Sequence, residues 1–138
     1  MAAVFNYVGT ESPPAPFVLV SVGRPDGITT ATDIPARVDS GADRTVLPKR
    51  LVEQLTLDTV EQREFEGLGG HRVMMAIVQV RIAIRNCAPL EVNAASNDGE
   101  PYILLGRDVL NIFDVILSHR RGEVLLLAPN HQYRVEQI

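Results

Sequence analysis

Arg37-Val38-Asp39-Ser40-Gly41-Ala42-Asp43-Arg44-Thr45-Val46-Leu47 is the stretch of this chain that says most about its fold. The residues before it, Ile34 to Val38, read as a strand that carries an acid into a tight turn. Serine and glycine follow, then a second acid and an apolar run. Taken alone, Asp39-Ser40-Gly41 reads as a turn, because Asp bonds its own backbone two residues on and Gly accepts unusual backbone angles. At this point that reading stands open beside a chemical one.

Working outward, the pattern predicts strands on both sides. Phe17 to Val22 is a short Val-rich run, and Arg24-Pro25-Asp26-Gly27 is turn chemistry. Pro48 to Leu55 is the first helix, with Pro in its opening turn and Leu51, Val52 and Leu55 on one face. Residues 59–66 pair as a strand, and Gly67-Leu68-Gly69-Gly70 is a hairpin tip. Beyond it Val78, Val80, Ile82 and Ile84 point one way, with Gln79, Arg81 and Arg85 on the other. Leu90, Val92 and Ala94 alternate likewise. Tyr102 to Leu105 is a short strand broken by Gly106, and Arg107 to Ile112 is a second short helix. Asp114 to Leu117 and Glu123 to Leu127 flank a hairpin signal at His119-Arg120-Arg121-Gly122, and Tyr133 to Ile138 form a last strand. Strands outnumber helices and turn signals recur at short intervals, which predicts an all-β barrel or sandwich with one or two short helices.

The 138 residues suit one domain, 1–138, with an N-terminal arm at 1–16 ending in the Pro-rich joint Glu11 to Pro16, a core at 17–128 and a tail at 129–138. With 46% hydrophobic and 22% charged residues the chain can bury a core. A formal charge of −4, with twelve Arg and one Lys scattered along the chain, gives no footprint for nucleic acid. No apolar stretch reaches the ~18 residues of a membrane span. The single cysteine, Cys87, excludes an intrachain disulfide and suits a reducing, cytoplasmic setting, where it reads as a small buried hydrophobe. His71, His119 and His131 lie too far apart for a local metal motif, and the glycines at 67–70 complete no dinucleotide fingerprint.

Three segments in this order, 39–47, 67–70 and 103–110, resemble the retroviral-type aspartic proteases, the retropepsins. Residues 39–47 match the pattern Asp-Ser/Thr-Gly-Ala-Asp-x-Thr-Val-Leu almost completely. Gly67 to Gly70 is similar to the family's flap tip, and Ile103-Leu104-Leu105-Gly106-Arg107-Asp108-Val109-Leu110 to its Ile-Ile/Leu-Gly-Arg-Asp/Asn-x-Leu segment. The order of motifs agrees over about residues 17–118, and the Pro-rich arm and the longer hairpin and tail after residue 113 point to a cellular, non-viral member or to a domain of a longer protein.

The resemblance implies that Asp39 is the catalytic acid, with Ser40 bracing the loop and Gly41 letting substrate backbone approach. The motif occurs once, so a homodimer would supply the second Asp39. Ala42 and Asp43 would line the substrate cleft, and Gly67, Leu68, Gly69 and Gly70 would close over an extended peptide or protein substrate. Arg107 would give structural support by pairing with Asp43. Apolar pockets are expected from Ala42, Val46, Leu68 and Val109. Val4–Val8, Val124–Leu127 and Tyr133–Val135 are candidates for an interface sheet between subunits. No metal or organic cofactor is implied. The alternative is a catalytically inactive protease-like module for dimerisation or peptide binding.

Overall fold

The computed structural model describes residues 2–85 and 87–129. The predicted last strand at 133–138, its candidate interface segment and His131 lie outside them. In chain order the elements are β1 (Ala2–Asn6), β2 (Phe17–Gly23), β3 (Thr30–Val38), β4 (Val46–Pro48), α1 (Lys49–Leu55), β5 (Thr59–Glu66), β6 (Arg72–Ile84), β7 (Leu90–Asn97), β8 (Ile103–Leu105), α2 (Arg107–Leu110), β9 (Asp114–Ser118) and β10 (Glu123–Leu127). The all-β expectation holds, with two short helices among the described residues.

Strands β2-β3-β8-β4-β7-β6 run side by side, and β2 also pairs with β6, so six strands close into a barrel. The inward positions are the alternating apolar ones. Val18, Val20 and Val22 of β2, Val78, Val80 and Ile82 of β6, and Ile103 and Leu105 of β8 are all buried. Ile84 follows the same face, while Gln79, Arg81 and Arg85 are exposed, as the period of two requires. Helix α1 caps one side through Leu51, Val52 and Leu55, each burial contributing roughly 1.5–3 kcal/mol.

Strand β6 explains how a hairpin leaves this barrel. Its last residues, Arg81–Ile84, pair with β2, while Arg72–Val78 pair with β5. The shared edge changes partner midway, so β5 and the first half of β6 extend away from the core. Their apolar residues are accordingly exposed: Val60, Val73 and Met74 by half or more.

Two findings differ from the sequence reading. The three residues of β4 give too little alternation to register, yet β4 pairs parallel with β7 and antiparallel with β8. The N-terminal arm is built in. Strand β1 pairs with β10 from Ala2↔Leu127 to Asn6↔Glu123, and β10 pairs with β9. Ala3 and Phe5 join the core, so two segments considered for a sheet between subunits pair with each other inside one chain.

Candidate active site

Asp39 follows β3 directly, and its N–H continues the ladder by donating to the Leu105 carbonyl of β8 at 3.1 Å. The chain then turns. Ala42 N–H donates to the Asp39 carbonyl at 3.2 Å, and Gly41 N–H donates to Asp39 Oδ1 at 3.1 Å. The turn reading of Asp-Ser-Gly is therefore correct as local structure. It also leaves Asp39 half-buried, with one carboxylate oxygen fixed by the loop, while Ser40 and Gly41 are exposed beside it. A carboxylate held this way can accept a proton from water, and with a second one nearby it can share a proton.

The loop is held from behind by the junction of β8 and α2. Gly106 lies so close that a Cβ there would sit 2.6 Å from the Arg44 carbonyl carbon and 2.9 Å from Thr45 N. Only glycine permits that approach. Arg107 N–H donates to the Ala42 carbonyl at 2.9 Å. Thr45 is wholly buried, and Asp108 accepts from its N–H at 3.1 and 3.0 Å and from its hydroxyl at 2.7 Å. The Thr45 hydroxyl accepts in turn from Gly106 N–H at 3.2 Å. Sequence reasoning assigned Thr45 and Asp108 no role. The available signal was a threonine inside an apolar run and an acid directly after Gly-Arg.

The expected ion pair between Asp43 and Arg107 is not formed. Arg107 Nη1 donates to the Ser40 carbonyl at 2.8 Å, and Asp43 is exposed. The physical reason is the backbone contact at Ala42, which sets the start of α2 against the loop with its guanidinium within reach of Ser40. Val109, expected at an apolar pocket, is buried in the core at 1% exposure and faces a cavity it shares with Ile82, Ile84 and Phe113. Ala42 and Val46 are half-buried near the loop.

The hairpin tip forms one 3₁₀ turn at Leu68–Gly70, closed by Gly67 N–H to the His71 carbonyl at 2.7 Å. Gly69 and Gly70 have φ of +78° and +77°, the left-handed region that favours glycine. Leu68 is 97% exposed at the apex, an apolar side chain left uncovered among the described residues. Elsewhere, His71 and His119 are exposed, with His119 Nδ1 3.2 Å from the Tyr7 hydroxyl. Cys87 is half-buried against the core, and burial pushes its thiol up. Among the described residues no group of three or more His, Cys, Asp or Glu side chains is placed to hold a metal ion, and no helix is long and apolar enough to cross a membrane.

Comparison with known proteins agrees with this geometry. Residues 25–109 match the family model described as aspartyl protease. That range includes the Asp39 loop, the hairpin tip and the start of α2. The fold is similar to that of a retropepsin-like aspartic protease from Rickettsia conorii, with a TM-score of 0.62 at 14% identity, covering 91% of this chain and 90% of that one. It is similar to EIAV protease complexed with the inhibitor HBY-793, with a TM-score of 0.54 at 23% identity over 70% and 86% of the two chains. It is also similar to the retroviral protease-like domain of Ddi1 from Leishmania major, with a TM-score of 0.50 at 16% identity over 86% and 98%. At these identities the likeness establishes the retropepsin-like fold. No curated protein matches the sequence closely enough to count as a relative.

Proposed function

Because the chain belongs to the aspartyl protease family, we propose that it is an aspartic endopeptidase acting as a homodimer, with Asp39 of each subunit forming the catalytic pair. The observation that carries this reading is the Asp39 carboxylate, half-buried at the end of β3 and tied to Gly41 N–H at 3.1 Å. One chain supplies one such carboxylate, and the chemistry needs two. Two carboxylates about 3 Å apart cannot both ionise, the general behaviour of aspartic proteases, so the pair holds one proton. The ionised member takes a proton from water, which attacks the peptide carbonyl. The protonated member polarises that carbonyl and supplies a proton for the departing amine. The proton belongs to the pair and to neither Asp39 alone.

The surrounding residues have roles consistent with this. Ser40 braces the loops of the two subunits, and Gly41 leaves room for substrate backbone. Ala42 and Asp43 contact the extended peptide, with Asp43 accepting from its N–H groups. Gly67 to Gly70 act as a flap whose left-handed glycines let the tip close and reach substrate carbonyls. The exposed Leu68 then packs on substrate or on the partner flap. Arg107 supports the loop through Ser40.

The test is cleavage of denatured protein and of a peptide library between pH 4 and 7, with and without pepstatin, alongside sedimentation of the same samples. The expected result is a dimer whose cleavage is lost in Asp39→Asn. A stable dimer that binds peptides and cuts none at any pH would instead mark the chain as a binding module.

A further inference from the structure

We propose that Arg37 selects substrates carrying an acidic side chain beside the bond that is cut. The inference rests on the protease reading and adds the charge of the substrate to it. Along β3, Ala36 is buried and Ile34 and Val38 are half-buried, while Pro35 and Arg37 are exposed. Strand side chains two apart share a face, so Arg37 stands on the face that continues to Asp39, roughly 6–7 Å along the chain. The ladder is unbroken between them, since Val38 pairs with Leu105 and Asp39 N–H donates to the Leu105 carbonyl at 3.1 Å.

Arg37 is exposed and sits on the ladder between apolar and aromatic neighbours. Its partners across the ladder are the buried Phe17 of β2 and, in β8, Leu104, half-exposed between the buried Ile103 and Leu105. Tyr102 is close as well. Its phenol is pushed up chiefly by the hydrogen bond it donates to Glu11, and the positive charge of Arg37 pulls against that rise. Other arginines around the loop are committed. Arg44 donates to the Asn93 carbonyl at 2.8 Å and Arg107 to the Ser40 carbonyl at 2.8 Å. Among the described residues Arg37 forms no ion pair and no side-chain hydrogen bond.

An extended peptide crossing Asp39 presents alternate side chains to the two walls of its groove. One of them meets the surface of Arg37 and Leu104. A carboxylate there takes two parallel hydrogen bonds from the planar guanidinium. A lysine or arginine at that position is repelled. In the homodimer the two copies of Arg37 lie on opposite sides of the scissile bond.

The test compares wild type, Arg37→Leu and Arg37→Glu on a peptide library read by mass spectrometry, then on matched peptides that differ by Glu against Gln at the selected position. Wild type is expected to favour Glu over Gln by about 10-fold in kcat/KM, the scale of one specific contact in a binding pocket. Arg37→Leu is expected to abolish that ratio, and Arg37→Glu to shift the library profile toward Lys and Arg. Equal cleavage of the Glu and Gln peptides by wild type, or an acidic preference that survives Arg37→Leu, overturns the role of Arg37 and leaves the protease reading intact. A wild-type dimer that cleaves no peptide overturns both.

Discussion

Asp108 and Thr45, 63 residues apart in the chain, are joined by three hydrogen bonds that all run into one carboxylate. Thr45 gives its N–H and its hydroxyl, and has no other route to satisfy them because it is completely buried. The pair locks the end of the Asp39 loop to the first turn of α2. Buried donors that lose their acceptor carry the full cost of desolvation, so the pair matters more than an average hydrogen bond.

Asp108→Ala is therefore expected to destabilise the fold by about 2–4 kcal/mol, since it leaves both Thr45 donors without an acceptor. Asp108→Asn keeps one acceptor oxygen and is expected to recover part of that loss. Urea denaturation of the two variants beside wild type measures both numbers. Equal stability of Asp108→Ala and wild type would show that water replaces the carboxylate.

Gly106→Ala is expected to cost roughly 1–3 kcal/mol through overpacking, because the added Cβ meets backbone atoms of Arg44 and Thr45 that have no room to give. The strain falls on the loop that holds Asp39, so any peptidase activity is expected to drop along with the melting temperature. Thermal unfolding checks the first effect and peptide cleavage the second. An unchanged melting temperature would mean that α2 backs away without penalty.

Arg107→Ala removes a hydrogen bond from an exposed guanidinium to the Ser40 carbonyl, and a loss of about 1 kcal/mol is expected. A buried ion pair with Asp43 would cost roughly 3–5 kcal/mol when broken. The two arrangements separate in a double-mutant cycle. Arg107→Ala and Asp43→Ala are expected to be additive, whereas a coupling above about 1 kcal/mol would mean that the side chains are paired.

Acid is expected to loosen the β2–β3 turn. The Asp26 carboxyl is held below the usual carboxylate range, first by the Ile28 N–H and then by Arg24. A carboxyl lowered in the folded state adds stability above its unfolded pKa of about 4 and loses it as pH falls through the folded value. Asp26→Asn is thus expected to lower the melting temperature more at pH 6 than at pH 2.5. An equal decrease at both pH values would contradict the sign of this linkage.

The sequence by itself determined what depends on near neighbours. The alternation of Val78, Val80, Ile82 and Ile84 set the inward face of β6, and Leu51, Val52 and Leu55 set the inward face of α1. The Asp39-Ser40-Gly41 turn was legible too, because its bonds run two and three residues along the chain. Tertiary structure alone decided where distant backbones meet. It paired β1 with β10, made a strand of Val46–Pro48, gave Arg107 to Ser40 rather than Asp43, and brought Asp108 to Thr45. Local propensity carries no information about such contacts. They follow from barrel closure, which fixes which buried donors and acceptors face one another and leaves each only the partner within reach.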